Sequence, residues 1–210
     1  MLPKIQFISQ GNSPEAQLHS LQKALDAGVT WVQLRYKNVA EIEVFRLAEE
    51  VKKRTENYKA LLTINDFSAV AKAVDANGLH LGLTDGSINQ ARSLLGNAKI
   101  IGGTANTLTD VQQRMTETCD YIGLGPLRFT TTKAQLSPVL GVEGYKNILT
   151  SLDKPENLKP IFAIGGITVA DVPELIEIGL YGIAVSGLIC NAEKPNQIVT
   201  QLNEILYTYA

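Results

Sequence analysis

The sequence has no long hydrophobic run, few cysteines and histidines, and almost no excess of one charge sign. Its 210 residues include two Cys and two His, and the formal net charge is −2. No apolar run approaches the roughly 20 residues that a membrane-spanning helix needs, so no membrane partner is expected. The small net charge gives no general attraction for nucleic acid. The first residues lack the pattern of a signal peptide, and we therefore expect a cytoplasmic protein.

The two cysteines, Cys119 and Cys190, lie in or beside apolar runs, where a free thiol acts as a small hydrophobic group. They predict neither a disulfide framework nor a metal site. The hydrophobic fraction of 45% and the charged fraction of 19% are typical of a globular protein. A chain of this length can bury a substantial core, and we assign residues 1–210 to one domain.

Eight short apolar runs recur along the chain, and segments with helical spacing separate them. The runs are rich in Val, Ile and Leu with little polar alternation, as expected for strands of a parallel sheet covered on both faces. Alternating strands and helices predict βαβ units, and eight units in about 200 residues fit a single-domain (β/α)8 TIM barrel. An open, doubly wound sheet is the alternative. The runs cover residues 4–9, 30–35, 60–65, 78–82, 99–103, 119–124, 160–164 and 181–186.

Capping residues and apolar spacing predict where several helices begin and which side they bury. Ser13, followed by proline, is expected to cap the first helix. Asn38 is expected to open the second helix, with Ile42 on its buried face. The last helix is expected to follow Pro195 and to bury Ile198, Leu202, Ile205 and Tyr209.

Glycines follow the seventh and eighth runs. Gly165 and Gly166 follow the seventh, while Ser186 and Gly187 follow the eighth. Glycine lets backbone N–H groups approach an anion, and barrels often bind a phosphate after strands seven and eight. Glycine also serves tight strand-to-helix turns. Two such exits on adjacent strands favour a phosphate site over simple turns.

The longest connection, residues 125–141, is too long and too rich in turn residues to be routine. A long loop on the carboxyl side of the strands is typical of a lid or a ligand clamp. It contains Thr130, Thr132 and Lys133. A lone surface lysine is usually solvated, but these three side chains predict part of an anion site.

Charged residues follow the second, third and fourth runs. Arg35 and Lys37 come two residues apart, and both can face the barrel mouth only if the strand ends there. Asp66 and Asp85 follow the next two runs. Asp66 can cap the following helix. Two carboxylates beside a cationic, phosphate-binding mouth favour Mg²⁺, which is commonly held by one or two carboxylates and substrate phosphates.

The two histidines do not enter the predicted catalytic set. His80 lies inside the fourth run, where a hydrogen-bonded core or supporting residue is expected rather than a general base. His19 lies on the first helix and is expected to be a surface residue.

Six motifs, taken in order and spacing, resemble the thiamine-phosphate synthase family. The resemblance extends over nearly the whole chain, and it is the ordered combination that makes it specific. The motifs are WVQLRYK at 31–37, IND at 64–66, HLGxxD at 80–85, YIGLGP at 121–126, TTTK at 130–133 and AIGGIT at 163–168.

The resemblance implies a transferase of the alkyl or aryl type. Members of this family join 4-amino-2-methyl-5-hydroxymethylpyrimidine diphosphate to 4-methyl-5-(2-hydroxyethyl)thiazole phosphate, giving thiamine phosphate and pyrophosphate. The family uses Mg²⁺ and a (β/α)8 barrel, and its substitution is understood as dissociative. The thiazole nitrogen has no proton to lose, so no general base is required. The oligomeric state stays open, with a homodimer as the candidate assembly.

The resemblance also implies a role for each matching residue. Arg35, Lys37 and Lys133 would be the catalytic cations and, with Asn65, would hold the diphosphate. Asp66 and Asp85 would hold the metal. The remaining substrate contacts would be Gln33 to the pyrimidine, Thr104 beside both substrates, and Thr130, Thr132, Gly166, Val185 and Ser186 to the thiazole phosphate.

Four positions depart from the family pattern near the substrates. Gln10 stands where Asp is frequent, Leu83 where Gln is common, and Asn106 where His is common. Arg128, with Phe129, replaces an aromatic-Pro pair. These departures affect expectations about substrate contacts and rate, while both aspartates and all three cations are kept.

Two rival functions follow from the same fold. A thiazole tautomerase isomerises a thiazole phosphate and would not need Asn65, Asp66, Asp85 or the Thr-Thr-Thr-Lys segment. A non-catalytic phospho-ligand-binding barrel would show erosion of the cationic and acidic positions. This sequence keeps all of these residues, which argues against both rival functions.

Overall fold

A computed structural model of the protein shows a closed barrel of eight parallel strands, and it describes residues 1–129, 138–152 and 158–208. The strands are β1 Ile5–Ile8, β2 Trp31–Leu34, β3 Leu61–Asn65, β4 Gly78–Leu81, β5 Ile100–Ala105, β6 Tyr121–Leu124, β7 Ile161–Ile164 and β8 Gly182–Val185. Each strand pairs with the next, and β8 pairs with β1. The closure confirms the predicted (β/α)8 TIM barrel and rules out the open sheet.

Helices follow the strands around the outside of the barrel. They are α1 Pro14–Asp26, α2 Glu41–Asn57, α3 Ser68–Ala73, α4 Ile88–Leu95, α5 Leu108–Thr116, α6 Gly141–Thr150, α7 Val172–Glu177, α8 Gly187–Cys190 and α9 Pro195–Thr208, and a 3₁₀ turn, Val169–Asp171, precedes α7. Within the described part of the chain, no helix has both the length and the apolar character that crossing a bilayer requires. Each parallel crossover returns the chain to the same edge, so every βα loop lies at the carboxyl end of the barrel.

One predicted helix cap is confirmed and another is wrong. The Ser13 hydroxyl accepts a hydrogen bond from the Ala16 N–H at 3.2 Å, at the start of α1. Helix α2 begins at Glu41 with Ala40 as its cap residue, so Asn38 does not open it. Asn38 has φ of 62° and turns the chain between β2 and α2. Asparagine tolerates this left-handed conformation better than most residues, which explains its place in the turn.

The buried faces of α2 and α9 differ from the predicted ones. Ile42 is 54% exposed, because α2 buries the side that carries Val44 and Leu47. Helix α9 does bury Leu202, but its other buried residues are Val199 and Leu206, each one position after a predicted one. Tyr209 lies outside the described residues. In both helices, further apolar residues flank the buried face. The sequence therefore does not determine how each helix is rotated about its own axis.

An aromatic cluster closes the amino end of the barrel. Trp31 of β2 lies edge to face against Tyr121 of β6, with ring centroids 5.0 Å apart, and Phe162 of β7 completes the cluster. Strands β2 and β6 are not neighbours, so these rings meet across the barrel interior. The Trp31 indole N–H donates to the Thr63 hydroxyl at 2.8 Å, which satisfies its buried polar group.

A polar layer lies above the aromatic cluster, toward the carboxyl end. The Gln6 amide donates to the Tyr121 hydroxyl at 2.9 Å, and His80 Nδ1 lies 2.9 Å from the same hydroxyl. His80 Nε2 lies 3.0 Å from the Thr104 hydroxyl. His80 is therefore a buried, hydrogen-bonded residue inside β4, as predicted, and His19 is exposed on α1.

Replacing Tyr145 by phenylalanine is expected to destabilise the carboxyl end of the barrel. The fully buried hydroxyl donates to the Leu124 carbonyl at 2.6 Å and accepts from the Ile164 N–H at 3.3 Å, which joins the ends of β6 and β7. Leaving buried partners unsatisfied costs about 1–3 kcal/mol. Urea unfolding should show this loss for Tyr145→Phe. Tyr58→Phe, at an exposed tyrosine, should stay within about 0.5 kcal/mol of the parent; equal losses in both variants would contradict the argument.

Candidate active site

Three charged side chains meet at the carboxyl ends of β2, β3 and β4. The Lys37 ammonium lies 3.0 Å from Asp66 Oδ2 and 4.0 Å from Asp85 Oδ2. The pairing of β3 with both β2 and β4 brings these exits side by side. The structure thus brings together the cation and the two carboxylates that the sequence placed on separate loops.

Asp66 is held in a conformation that suits a ligand better than a helix cap. Its φ is 64°, and α3 has Phe67 at its cap position without a side-chain cap bond. Asp66 Oδ1 is buried and has no hydrogen-bond partner among the described residues. Burial, followed by the hydrogen bond with Asp85, raises the pKa of Asp66 to about 6. The cap interpretation is therefore not supported, and a carboxylate oxygen remains free at the mouth.

Asp85 is the more readily ionised member of the pair. Its Oδ2 accepts from the Gly82 N–H at 2.9 Å. Burial opposes ionisation, but the hydrogen bond with Asp66, the charge of Lys37 and the Gly82 N–H together hold the pKa of Asp85 below its ordinary value. Two neighbouring carboxylates with opposite pKa shifts mark this mouth as a candidate functional site.

Arg35 and Lys37 reach the same mouth because β2 ends at Leu34. Residues two apart lie on one side of an extended chain, and Tyr36 between them packs into the core at 7% exposure. This meets the condition under which both cations can serve one site. Lys37 stays partly open to solvent, with 37% of its side chain exposed.

The backbone of Arg35 is held on both sides. Its N–H donates to the Ser9 hydroxyl at 2.8 Å, and its carbonyl accepts from the Gln17 amide at 3.1 Å. Burial lowers the pKa of the Arg35 guanidinium, while Asp66 and Asp85 oppose the shift. Across residues 1–129, 138–152 and 158–208, the guanidinium forms no ion pair within 4.0 Å. A partly buried guanidinium on a fixed backbone, with no ion pair among the described residues, suits the oxygens of a phosphate group.

Polar side chains from β2, β3 and β5 lie deeper in the same mouth. The Gln33 amide donates to Asn65 Oδ1 at 2.8 Å, and both residues are buried. Gln33 Oε1 is buried without a partner among the described residues. Thr104 lies on β5 and is held by His80. The free oxygen of Gln33 can therefore accept a hydrogen bond from an amino group at the base of the mouth.

A second candidate anion site lies at the ends of β7 and β8. Gly165 and Gly166 have φ of 93° and 70°, a turn that favours glycine. Val185 is buried as the last residue of β8, and the Ser186 hydroxyl donates to Gln10 Oε1 at 3.2 Å. The short helix α8 begins directly after Ser186, as in the phosphate sites that many barrels build there.

Three predicted site residues, Thr130, Thr132 and Lys133, lie outside the described residues. The two ends of their loop are joined, since the Leu140 N–H donates to the Pro126 carbonyl at 2.9 Å and the Gly141 N–H donates to the Leu127 carbonyl at 3.1 Å. Closure of this loop over a ligand stays a prediction.

Sequence reasoning missed three buried polar residues that support the mouth. Ser9 and Gln17 hold the Arg35 backbone. Arg114 of α5, 3% exposed, donates to the Thr104 carbonyl and to the Gly82 carbonyl, each at 3.1 Å. Gln17 falls four positions before the buried Leu21 on α1. A polar residue on the apolar face of a helix could have indicated a buried hydrogen bond at this position. Nothing local marks Arg114, because its partners lie on other loops.

Two of the family departures make hydrogen bonds between loops. Gln10 bonds Ser186, as described above, and its N–H donates to the Ser20 hydroxyl at 3.2 Å. Asn106 is buried, donates through its side chain to the Gly125 carbonyl and through its N–H to Asp110. Leu83 is 46% exposed, and no contact in the structure explains this departure.

The fold and the site define a class: a (β/α)8-barrel enzyme with a cationic and acidic mouth beside a glycine-rich anion site. The comparison with protein families then identifies which one. The model of the thiamine monophosphate synthase family matches residues 5–189, and the chain belongs to that family.

Individual relatives agree with the family. A thiamine-phosphate synthase of Flavobacterium psychrophilum is 52% identical over 206 residues, which cover 98% of this chain and all of that protein. One from Flavobacterium johnsoniae is 49% identical, covering 99% of this chain and 98% of its own. A solved thiamine phosphate pyrophosphorylase from Pyrococcus furiosus superposes with a TM-score of 0.80 at 30% identity, covering 98% and 96% of the two chains. The tautomerase and binding-protein alternatives are not favoured.

Proposed function

We propose that this chain joins the pyrimidine diphosphate to the thiazole phosphate, forming thiamine phosphate and releasing pyrophosphate. The observation that carries the proposal is the cluster of Lys37, Asp66 and Asp85 beside Arg35, whose guanidinium has no ion pair among the described residues. A thiazole tautomerase has no diphosphate to neutralise and no use for this cluster. A phospho-ligand sensor would need the glycine site but not two partly buried carboxylates.

The diphosphate would lie over the exits of β2 and β3. Arg35 and Lys37 would hold its oxygens, together with Asn65 and with Lys133 from the long loop. Gln33 would receive the pyrimidine amino group at its free Oε1. Thr104, fixed by His80, would border both substrates. The thiazole phosphate would lie at Gly166, Val185 and Ser186, joined by Thr130 and Thr132.

The donor set fits Mg²⁺. Asp66 offers a buried oxygen that has no hydrogen-bond partner among the described residues, and Asp85 lies beside it. In the described part of the chain, no group of three or more His, Cys, Asp or Glu could hold a metal by itself. This agrees with an ion that completes its shell with substrate phosphate oxygens and water. Bound there, Mg²⁺ would supply positive charge to the departing diphosphate.

The chain's own residues would act by positioning and by charge. The C–O bond to the diphosphate breaks and its electron pair leaves with pyrophosphate, while the thiazole nitrogen lone pair forms the new C–N bond. Arg35, Lys37 and Lys133 stabilise the negative charge that develops on the leaving group. The anchored thiazole phosphate holds the nitrogen near the methylene carbon. No proton is transferred, which agrees with the engagement of both His80 ring nitrogens in hydrogen bonds.

One assay with the purified protein tests this function. Thiamine phosphate and pyrophosphate should form in equal amounts only when both substrates and Mg²⁺ are present, and EDTA should stop turnover. Isomerisation of a thiazole phosphate without the pyrimidine diphosphate would favour the tautomerase. Tight binding of thiamine phosphate without turnover from both substrates would favour a binding protein. A cytoplasmic location and a homodimer stay predictions, to be checked by fractionation and by light scattering.

A further inference from the structure

The turn after β7 carries two backbone donors, the N–H groups of Gly166 and Ile167. Gly165 and Gly166 both have positive φ. Among the described residues, no acceptor receives a hydrogen bond from the N–H of Gly166 or of Ile167. Successive free N–H groups in such a turn can bind an anion. Their direction depends on what holds the two peptide planes.

Arg128 holds both planes from the opposite side. Its own N–H donates to the Gly165 carbonyl at 3.0 Å, and its guanidinium donates to the Gly166 carbonyl at 3.1 Å. In a planar trans peptide, the C=O and the next N–H point in opposite directions. Fixing these two carbonyls therefore turns the N–H groups of Gly166 and Ile167 away from Arg128. A Cβ at Gly166 would lie 2.9 Å from the Arg128 Cβ, so the packing is close.

Asp171 fixes the guanidinium in turn. Both of its oxygens accept from Arg128 at 2.6 Å, in a bidentate pair. Asp171 Oδ2 also accepts from the Thr168 N–H and hydroxyl, each at 2.7 Å. The hydrogen bonds from Arg128 lead the causes that lower the pKa of Asp171 to about 2, so the pair stays charged at neutral pH. The long loop after β6 is thereby tied to the start of the 3₁₀ turn before α7.

We propose that Arg128 is a positioning residue for the phosphate of the thiazole substrate, acting through the Gly166 carbonyl and Asp171. The inference rests on the proposed function and goes beyond it, because it gives a task to a residue that departs from the family pattern. Arg128 orients the backbone N–H groups that would bind the phosphate, and it does not contact the reacting atoms. Its removal should weaken recognition of the phosphate and leave the diphosphate site, at β2 to β4, unchanged.

The test compares Arg128→Leu with the parent enzyme on both substrates. We expect KM for the thiazole phosphate to rise by about 10- to 100-fold, since a 1 Å misplacement can cost about 10²-fold. KM for the pyrimidine diphosphate should stay within about twofold, because Arg128 does not reach that site. The dephosphorylated thiazole alcohol supplies an internal reference: its kcat/KM should be the same in Arg128→Leu and in the parent. Arg128→Lys, which keeps the charge but not the fork, should recover part of the loss.

A control variant and a double variant distinguish this positioning role from a general effect of Arg128 on the stability of the fold. Arg54→Leu removes a paired arginine on α2 and should leave both KM values unchanged. Asp171→Asn combined with Arg128→Leu should cost little more than Arg128→Leu alone, as coupled residues do. Parallel loss on the phosphate and the alcohol, or parental KM values in a folded Arg128→Leu, would overturn the positioning role. Absence of thiamine phosphate formation by the parent would instead overturn the proposed function.

Discussion

Replacing Arg35 by alanine should lower kcat/KM for thiamine phosphate formation by on the order of 10²–10³, the cost of removing one preorganised donor. The guanidinium is partly buried and its donors are free of ion pairs in the described residues, so it has no other partner that competes for it. The Ser9 hydroxyl and the Gln17 amide fix its backbone. A guanidinium carried on a fixed backbone at this mouth needs little reorganisation when charge develops on the leaving diphosphate. We expect a loss of the same order for Lys133→Ala.

The matched control for this loss is Arg46→Ala. Arg46 is exposed on α2, so its removal changes the net charge equally without touching the mouth. Steady-state rates and urea unfolding should be measured for both variants. Arg35→Lys should fall between the parent and Arg35→Ala, because a single ammonium replaces a planar fork. Near-parental turnover by a folded Arg35→Ala would remove Arg35 from the proposed catalytic set.

Asp66→Asn should separate activity from stability. Asparagine also tolerates positive φ, so the backbone at 64° can be kept. Loss of one carboxylate should lower the Mg²⁺-dependent kcat/KM by about 10²-fold or more, because a metal ion contributes several kcal/mol of charge stabilisation. The metal-free fold should keep its stability or gain some, since one of two neighbouring, partly buried carboxylates is replaced by a neutral amide.

The measurements are the Mg²⁺ dependence of the initial rate and urea unfolding in EDTA. Asp75→Asn is the matched control, because Asp75 also has positive φ, of 49°, but its side chain is 82% exposed and pairs with Lys99, away from the mouth. It should change neither quantity beyond small surface effects. An unchanged Mg²⁺ dependence in Asp66→Asn would argue against a metal site at Asp66. A large loss of metal-free stability would show that the aspartate serves the fold instead.

Much of the barrel was predictable, because short apolar runs mark its strands in the local sequence. Each apolar run ends at a polar or glycine residue, and eight runs separated by helical segments allow few topologies. The rotation of the helices was less predictable. Ile42 and Val44 are both apolar, and only packing against the barrel decides that Val44 is buried. The error at Asn38 has a similar origin, since the same residue type serves caps and left-handed turns.

The candidate site was predictable to the extent that its residues follow strands. Arg35, Lys37, Asp66 and Asp85 could be placed at one edge, since the carboxyl ends of parallel strands share it. The residues that support them could not be placed in this way. Gln17 and Arg114 make their bonds across loops, and no local pattern relates a helix side chain to a carbonyl on another strand exit.

The sequence by itself determined the order of the elements, the barrel class and the chemical nature of the mouth, because these depend on short periodic patterns and on residue type. Only the tertiary structure decided which groups pair. It placed Lys37 against both carboxylates, left one oxygen of Asp66 without a hydrogen-bond partner among the described residues, and joined Arg128 to Asp171. Such pairings depend on distances between residues far apart in the chain, and those distances are set by the pairing of neighbouring strands in the barrel.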